Sequence, residues 1–220
     1  MKIVCVGYRE WAMEIYQRLR LFYGNRHDIV LVDKETYSED LLDQENPDLV
    51  LFYGWSWKIQ EAVIDKYQCL MLHPSPLPKY RGGSPIQNQI INGETSSAVT
   101  IIEMTSDLDA GDILAQEKFA LDGDISAILK KITRIGTRLT KRIISGDFIR
   151  VKQNESEATF YKRRNKRDNE ITIREILSED SQYIYNKIRM LGDPYPYAYI
   201  KAADGKRILI KEASIGGDSD

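Results

Sequence analysis

Apolar and polar positions along the chain fall into short runs whose period alternates. "KIVCVGY", residues 2–8, is almost unbroken apolar sequence running into Gly7, the pattern of a strand buried on both faces. "REWAMEIYQRLRLFYG" then switches to helical spacing: Trp11, Ile15, Leu19 and Phe22 share one face, and Gly24 closes the helix. "HDIVLVDK" reads as a second strand, and "SEDLLDQENP" as a helix opened by a serine cap and stopped near Pro47. "DLVLFYGWSW" is a third strand, "KIQEAVIDKY" a short helix and "CLMLH" a fourth strand. Further on, the spacing predicts a helix in "SPIQNQIINGE", strands in "SAVTIIEMT" and "GDILAQEKFAL", and a long helix over roughly residues 125–145. Ile125, Ile128, Leu129, Ile132, Ile135, Leu139 and Ile143 stripe that helix, and the Lys and Arg residues between them form its solvated face. The alternation implies an α/β fold, a Rossmann-like open and mainly parallel sheet with helices on both faces. Such sheets bind ligands at the C-terminal ends of their strands.

The pattern changes after about residue 150. "VKQNESEATFYKRRNKRDNE" is polar and charged and reads as a connection into a small α+β C-terminal appendage. A helix in "SEDSQYIYNKIRML" and a hairpin turning near "ADGK" make up the appendage, and the tail "GGDSD" is expected to be disordered. This divides the chain into a core, 1–150, and a linker with a small subdomain, 151–220. The hairpin's paired aromatics suit either folding onto the core or a homodimer contact.

Composition narrows the class. With 220 residues, 42% hydrophobic and 29% charged, the chain can bury a core without disulfides or a metal. No apolar run approaches the roughly 20 residues that span a bilayer, and "MKIVCVGYREW" lacks the character of a signal peptide. Cys5 and Cys69 lie inside apolar runs and read as small buried hydrophobes, which suits a reduced, cytoplasmic setting with no membrane partner. A net charge of -2 weighs against nucleic acid as the partner.

The chemistry concentrates in "LMLHPSPLPKYRGGSPIQ", residues 70–87. The chain has two histidines, His27 and His73, and His73 stands at the end of the fourth strand. Pro74, Pro76 and Pro78 stiffen the loop that follows, and Gly82 and Gly83 allow close backbone approach to a ligand or a tight turn. An imidazole so held can donate to charge that develops during a reaction, although a strand-end cap is the plain alternative. Asp109, in "TSDLDAGDIL", could orient His73 and relay a proton, or could simply be a turn aspartate; Asp107 and Asp112 compete for either role. There is no Cys pair or second nearby histidine for a catalytic zinc, and "GYREWA" is not a glycine-rich phosphate loop.

"LHPSPLPKYRGGSPIQNQIINGE" followed by "AVTIIEMTSDLDAGDILAQ" resembles the signature of folate-dependent N-formyltransferases. That group includes methionyl-tRNA, glycinamide ribonucleotide and sugar-nucleotide enzymes. The resemblance extends to "PDLVLFYGWSWKIQEAVID", "ISAILKKITRIGTRL", "FYKRRNKRDNEI" and "IRMLGDPYPYAYI". It implies transfer of a formyl group from N10-formyltetrahydrofolate to an amine, with His73 donating to the oxyanion or the leaving nitrogen and Asp109 holding His73. It also implies folate contacts around Tyr53, Trp55 and Trp57 and around Asp107 and Leu108. Regular strand alternation would point Trp55 and Trp57 the same way, so one of them is as readily a core residue.

The family pattern reads Asn-x-His, whereas this chain has Met71-Leu72-His73. A thioether has no proton to donate, and loss of one oxyanion donor costs about 100- to 1,000-fold in rate. Either Ser75, Ser84, Gln87, Asn88 or a loop amide supplies the contact, or the chain is a folate- or nucleotide-binding module with little activity. Among acceptors, the slight negative charge disfavours methionyl-tRNA, and the missing phosphate loop disfavours glycinamide ribonucleotide. A nucleotide-linked amino sugar, as in bacterial surface-polysaccharide synthesis, is the remaining expectation. The 13 tyrosines, "YPYAY" and the basic "YKRR" fit it, with Lys79, Arg81 and Arg163 as diphosphate candidates and Ser75, Gly82, Gly83 and Gln87 near the acceptor.

Overall fold

A computed structural model describes residues 1–217 of the chain; the end of the tail, 218–220, on which part of the disorder expectation falls, lies outside the described residues. The first half forms β1 (Lys2–Val6), α1 (Glu10–Tyr23), β2 (Asp28–Val32), α2 (Glu39–Glu45), β3 (Leu49–Tyr53), α3 (Glu61–Lys66) and β4 (Cys69–His73). Next come a two-residue strand β5 (Arg81–Gly82), α4 (Pro85–Ile91), β6 (Ser96–Glu103), β7 (Ile113–Ala120) and α5 (Ile125–Ile144). The main sheet runs β2-β1-β3-β4-β6-β7, parallel through β4 and antiparallel at β6 and β7.

Alternation along the strands feeds two cores. Ile3, Cys5, Leu49, Leu51, Tyr53, Leu70 and Leu72 face α1, α4 and α5, whereas Val4, Val6, Val50, Phe52 and Cys69 face α2 and α3. The α5 stripe is buried from Ile125 to Ile143, except that Leu129 is only partly covered. Each buried branched residue contributes about 1.5–3 kcal/mol relative to exposure. Ser38 caps α2 by accepting the Leu41 amide, as its position before the helix predicts. Both cysteines are free and buried, and burial pushes the Cys69 thiol up to about 12.

Two expectations are corrected. The third strand ends at Tyr53, because Gly54 adopts φ 62° and turns the chain, so strand alternation says nothing about Trp55 and Trp57. The presumed linker is bound to the core along its length. Val151 bridges Ile113, and β8 (Phe160–Tyr161) pairs with β5. The rest of the chain forms α6 (Ile173–Ser178), absent from the pattern reading, then α7 (Ser181–Arg189) and the hairpin β9 (Ala198–Lys201) and β10 (Arg207–Ile210). Ile171, Ile188, Met190, Leu191 and Ala198 join the same apolar cluster as α1 and α5, so the appendage shares the main core.

Candidate active site

The proline loop after β4 is fixed largely by side chains, since prolines bring no amides of their own. Gln89 Nε2 donates to Pro74 O (3.0 Å), Thr100 Oγ1 to Ser75 O (2.6 Å) and Gln116 Nε2 to Leu77 O (3.1 Å). The loop turns back at Tyr80 (φ 63°), whose carbonyl accepts from His73 Nε2 at 2.8 Å. A carbonyl offers no proton, so Nε2 keeps its hydrogen and Nδ1 is the nitrogen that can take up and release one. Nδ1 lies 3.5 Å from Asp109 Oδ2, and the two side chains are 7% and 6% exposed.

Asp109 is held from both ends. Its backbone is left-handed (φ 53°), its Oδ2 accepts the Gly82 amide at 2.7 Å, and its carbonyl accepts Gln153 Nε2 at 2.8 Å. Gln153 Nε2 also donates to Gly111 O (2.7 Å), while its Oε1 accepts from Arg81 Nε and from a terminal nitrogen of the same guanidinium at 3.2 and 2.9 Å. Arg81 in turn donates to both Glu155 oxygens at 2.8 and 2.6 Å, and this hydrogen bonding holds the Glu155 carboxyl below its usual range. A chain of contacts Glu155–Arg81–Gln153 therefore sets the backbone of Asp109.

These groups line a cavity of about 850 Å³ at the C-terminal ends of β3 and β4, within the size range of small-molecule sites. One wall is apolar and aromatic: Phe52, Trp55, Trp57, Ile102, Met104 and Leu108. Trp55 packs against Trp57 (4.8 Å between ring centres) and Tyr37 (5.0 Å). Trp57 and Leu108 remain 53% and 61% exposed at the rim. Arg9 lines the cavity beside this aromatic wall, its guanidinium over the Tyr8 ring at 4.8 Å, and the other cations of the lining are Lys162, Arg163 and Arg164. The segment bearing the last three reaches the site because Gly82 and Gly83 lack side chains. A Cβ on Gly82 would stand 2.3 Å from Tyr161 O, and one on Gly83 2.4 Å from the Arg163 Cα. The close approach these glycines permit is thus to the chain itself, although both also line the cavity.

Of the residues singled out from the sequence, His73, Asp109, Met71, Trp55, Trp57, Asp107, Leu108, Gly82, Gly83, Gln87 and Arg163 meet in this cavity. Four do not. Tyr53 is fully buried, with its ring over Tyr16 and its hydroxyl paired with Thr140, because its position in β3 points it at α5. Ser75 is fully buried and donates to Lys79 O. Arg81 is 2% exposed with its guanidinium spent on Gln153 and Glu155. Lys79 lies on the outer surface of the loop, away from the cavity lining. Conversely, Arg9 and Gln153 were not legible as site residues, since nothing local to either distinguishes it from a surface polar group.

Residues 30–136 match the formyl transferase domain model. The methionyl-tRNA formyltransferase of Ehrlichia chaffeensis is 33% identical over 194 residues, which is 85% of this chain and 60% of that protein. The chain thus spans under two thirds of the length of the curated relatives it matches. A solved methionyl-tRNA formyltransferase from Clostridium thermocellum superposes with a TM-score of 0.85 at 27% identity, covering 96% of this chain and 97% of that one. Two more distant structures share the fold. HypX from Aquifex aeolicus in complex with tetrahydrofolic acid has a TM-score of 0.77 at 23% identity, over 96% of this chain and 37% of that one. A sugar N-formyltransferase from Shewanella sp FDAARGOS_354 has a TM-score of 0.79 at 16% identity over 99% of both chains. By its matched domain, its relatives and its fold, the chain is similar to the formyl transferases.

Proposed function

We propose that this chain transfers the formyl group of N10-formyltetrahydrofolate to a primary amine carried on a phosphate-bearing acceptor. The observation that carries the reading is the buried His73–Asp109 pair on the floor of a large two-walled cavity. The amine nitrogen would attack the formyl carbon, and the new C–N bond would leave a tetrahedral centre with negative oxygen. Asp109 would accept the proton released by the amine. Asp109 would pass that proton to His73 Nδ1, which would deliver it to the departing N10 as the C–N10 bond breaks, so that the proton lost by the amine is the one gained by the folate.

The cavity fits both substrates. The half-exposed Trp57 and Leu108 offer flat apolar surface for the folate rings, and Trp55 Nε1 is buried with no partner among the described residues, a donor available to a ligand acceptor. Arg9, Lys162, Arg163 and Arg164 match an anionic acceptor. The relatives above 30% identity favour methionyl-tRNA over the expected nucleotide-linked amino sugar. A single observation favours the sugar: a chain of net charge -2 gathers these cations around one cavity. Incubation with N10-formyltetrahydrofolate and, separately, methionyl-tRNA or a panel of nucleotide-linked amino sugars separates the two. Formylated methionyl-tRNA is the expected product; product only from a sugar nucleotide reverses the acceptor assignment, and folate binding without product from any amine rejects the enzyme.

A further inference from the structure

An oxyanion at the site would lack one donor. Met71, on the same side of β4 as His73 and lining the cavity, has no hydrogen to give. The polar groups around the loop can be accounted for one by one. Ser75 is fully buried and donates to Lys79 O. Asn88 Nδ2 gives its hydrogens to Gly83 O (2.8 Å) and Lys162 O (3.3 Å), and Ser84 Oγ accepts the Arg164 amide at 3.1 Å, which leaves its own hydroxyl hydrogen uncommitted among the described residues. Ser56, nearer the aromatic wall, is paired with the Tyr8 hydroxyl at 2.7 Å.

Gln87 differs. It is 5% exposed, lines the cavity, and its Nε2 is buried with no hydrogen-bond partner among the described residues. Buried amides are almost always satisfied, so an unpaired one in a ligand cavity points to a ligand acceptor. Its placement is also rigid. Two residues on, Gln89 Nε2 ties α4 to Pro74 O, the residue immediately after His73. The first turn of α4 is thereby locked to the same loop that carries the imidazole.

Building on the formyl-transfer reading, we infer that Gln87 Nε2 is a catalytic donor to the formyl oxygen and takes over the contact that residue 71 cannot make. It donates a hydrogen bond throughout and exchanges no proton. The amide strengthens its hold as the oxygen gains negative charge.

Two measurements on the full chain test this. The first needs no turnover: binding of a non-transferring N10-formyl folate analogue and of its des-formyl counterpart, followed through Trp55 and Trp57 fluorescence. Gln87→Ala should weaken the formyl compound about 3- to 10-fold and leave the des-formyl compound unchanged. The second is kcat, which Gln87→Ala should lower about 100- to 1,000-fold, well beyond its effect on binding of the formyl compound. Adding Met71→Asn to Gln87→Ala should restore at least tenfold, because the lost donor returns from the neighbouring strand. Equal weakening of both analogues, or no weakening of either, overturns the assignment even if the wild-type chain transfers no formyl group. So does a double variant no faster than Gln87→Ala. Wild-type binding that ignores the formyl group altogether would instead reject the formyl-transfer reading.

Discussion

The two walls of the cavity solve different physical problems. The aromatic wall, with Trp55, Trp57 and Leu108, leaves apolar area exposed, a state that is costly until a flat apolar partner covers it. The cationic wall, with Lys162 and Arg163 exposed, keeps those charges hydrated and spends little until a phosphate arrives. Between them His73 and Asp109 are buried and tied by short hydrogen bonds to backbone groups. The contrast teaches that affinity is assigned to the adaptable walls and geometry to the floor, so changes on a wall should move binding and changes on the floor should move rate.

The largest effect that can break this division is on the floor. Asp109→Asn should lower kcat about 1,000-fold while folate affinity stays within twofold; a comparable loss of affinity would mean that Asp109 is a wall residue after all. Behind the floor, Gln153→Ala frees the Asp109 carbonyl. It should lower kcat about tenfold and cost about 1–3 kcal/mol in urea unfolding, with the Gln153→Glu variant unable to rescue because it loses the donor to Asp109 and Gly111. On the cationic wall, Arg163→Ala should raise the acceptor KM about threefold to tenfold and make it less salt-dependent, with kcat and folate binding unmoved. Trp57→Ala should do the reverse, weakening folate by about 1 kcal/mol and sparing the acceptor.

The smallest effect concerns the outer end of the Asp109 clamp. Glu155 is held below its usual range by Arg81, so its contribution to stability is complete above the unfolded carboxylate pKa and is lost as pH falls through the lower folded value. Glu155→Gln should therefore flatten the acid limb of the stability profile and leave stability near neutral pH only slightly reduced. An unchanged acid limb would show that Arg81 is held by Gln153 alone.

The two walls and the floor were unequally visible in the sequence. β4 and its terminal His73 stand out because an apolar run, an imidazole and three prolines are all local signals. The α5 stripe stands out for the same reason, since periodicity is a property of neighbours. Asp109 and the family signature were legible as spacing, and the departure at Met71 was legible by comparison with it. What escaped depends on long-range pairing of polar groups. Gln153 and Glu155 sit in a charged stretch that looks like a linker, and only the burial of Arg81, 72 and 74 residues away, gives them a role. Arg81 was misread for the complementary reason: a basic residue in a loop suggests an anionic ligand, but the chain supplies its own anion. Trp55 and Trp57 reached the site through a turn at Gly54 that strand alternation cannot foresee.

The central claim is that His73 and Asp109 work as one acid–base unit, and a double-mutant cycle on single-turnover formyl transfer tests it most directly. His73→Ala, Asp109→Ala and the double variant would be compared, with folate binding measured on the same samples. The account predicts that each single variant loses about 1,000-fold, that the double variant is scarcely slower than either, and that binding is preserved in all three. Losses that multiply in the double variant would contradict it, because the two residues would then act independently.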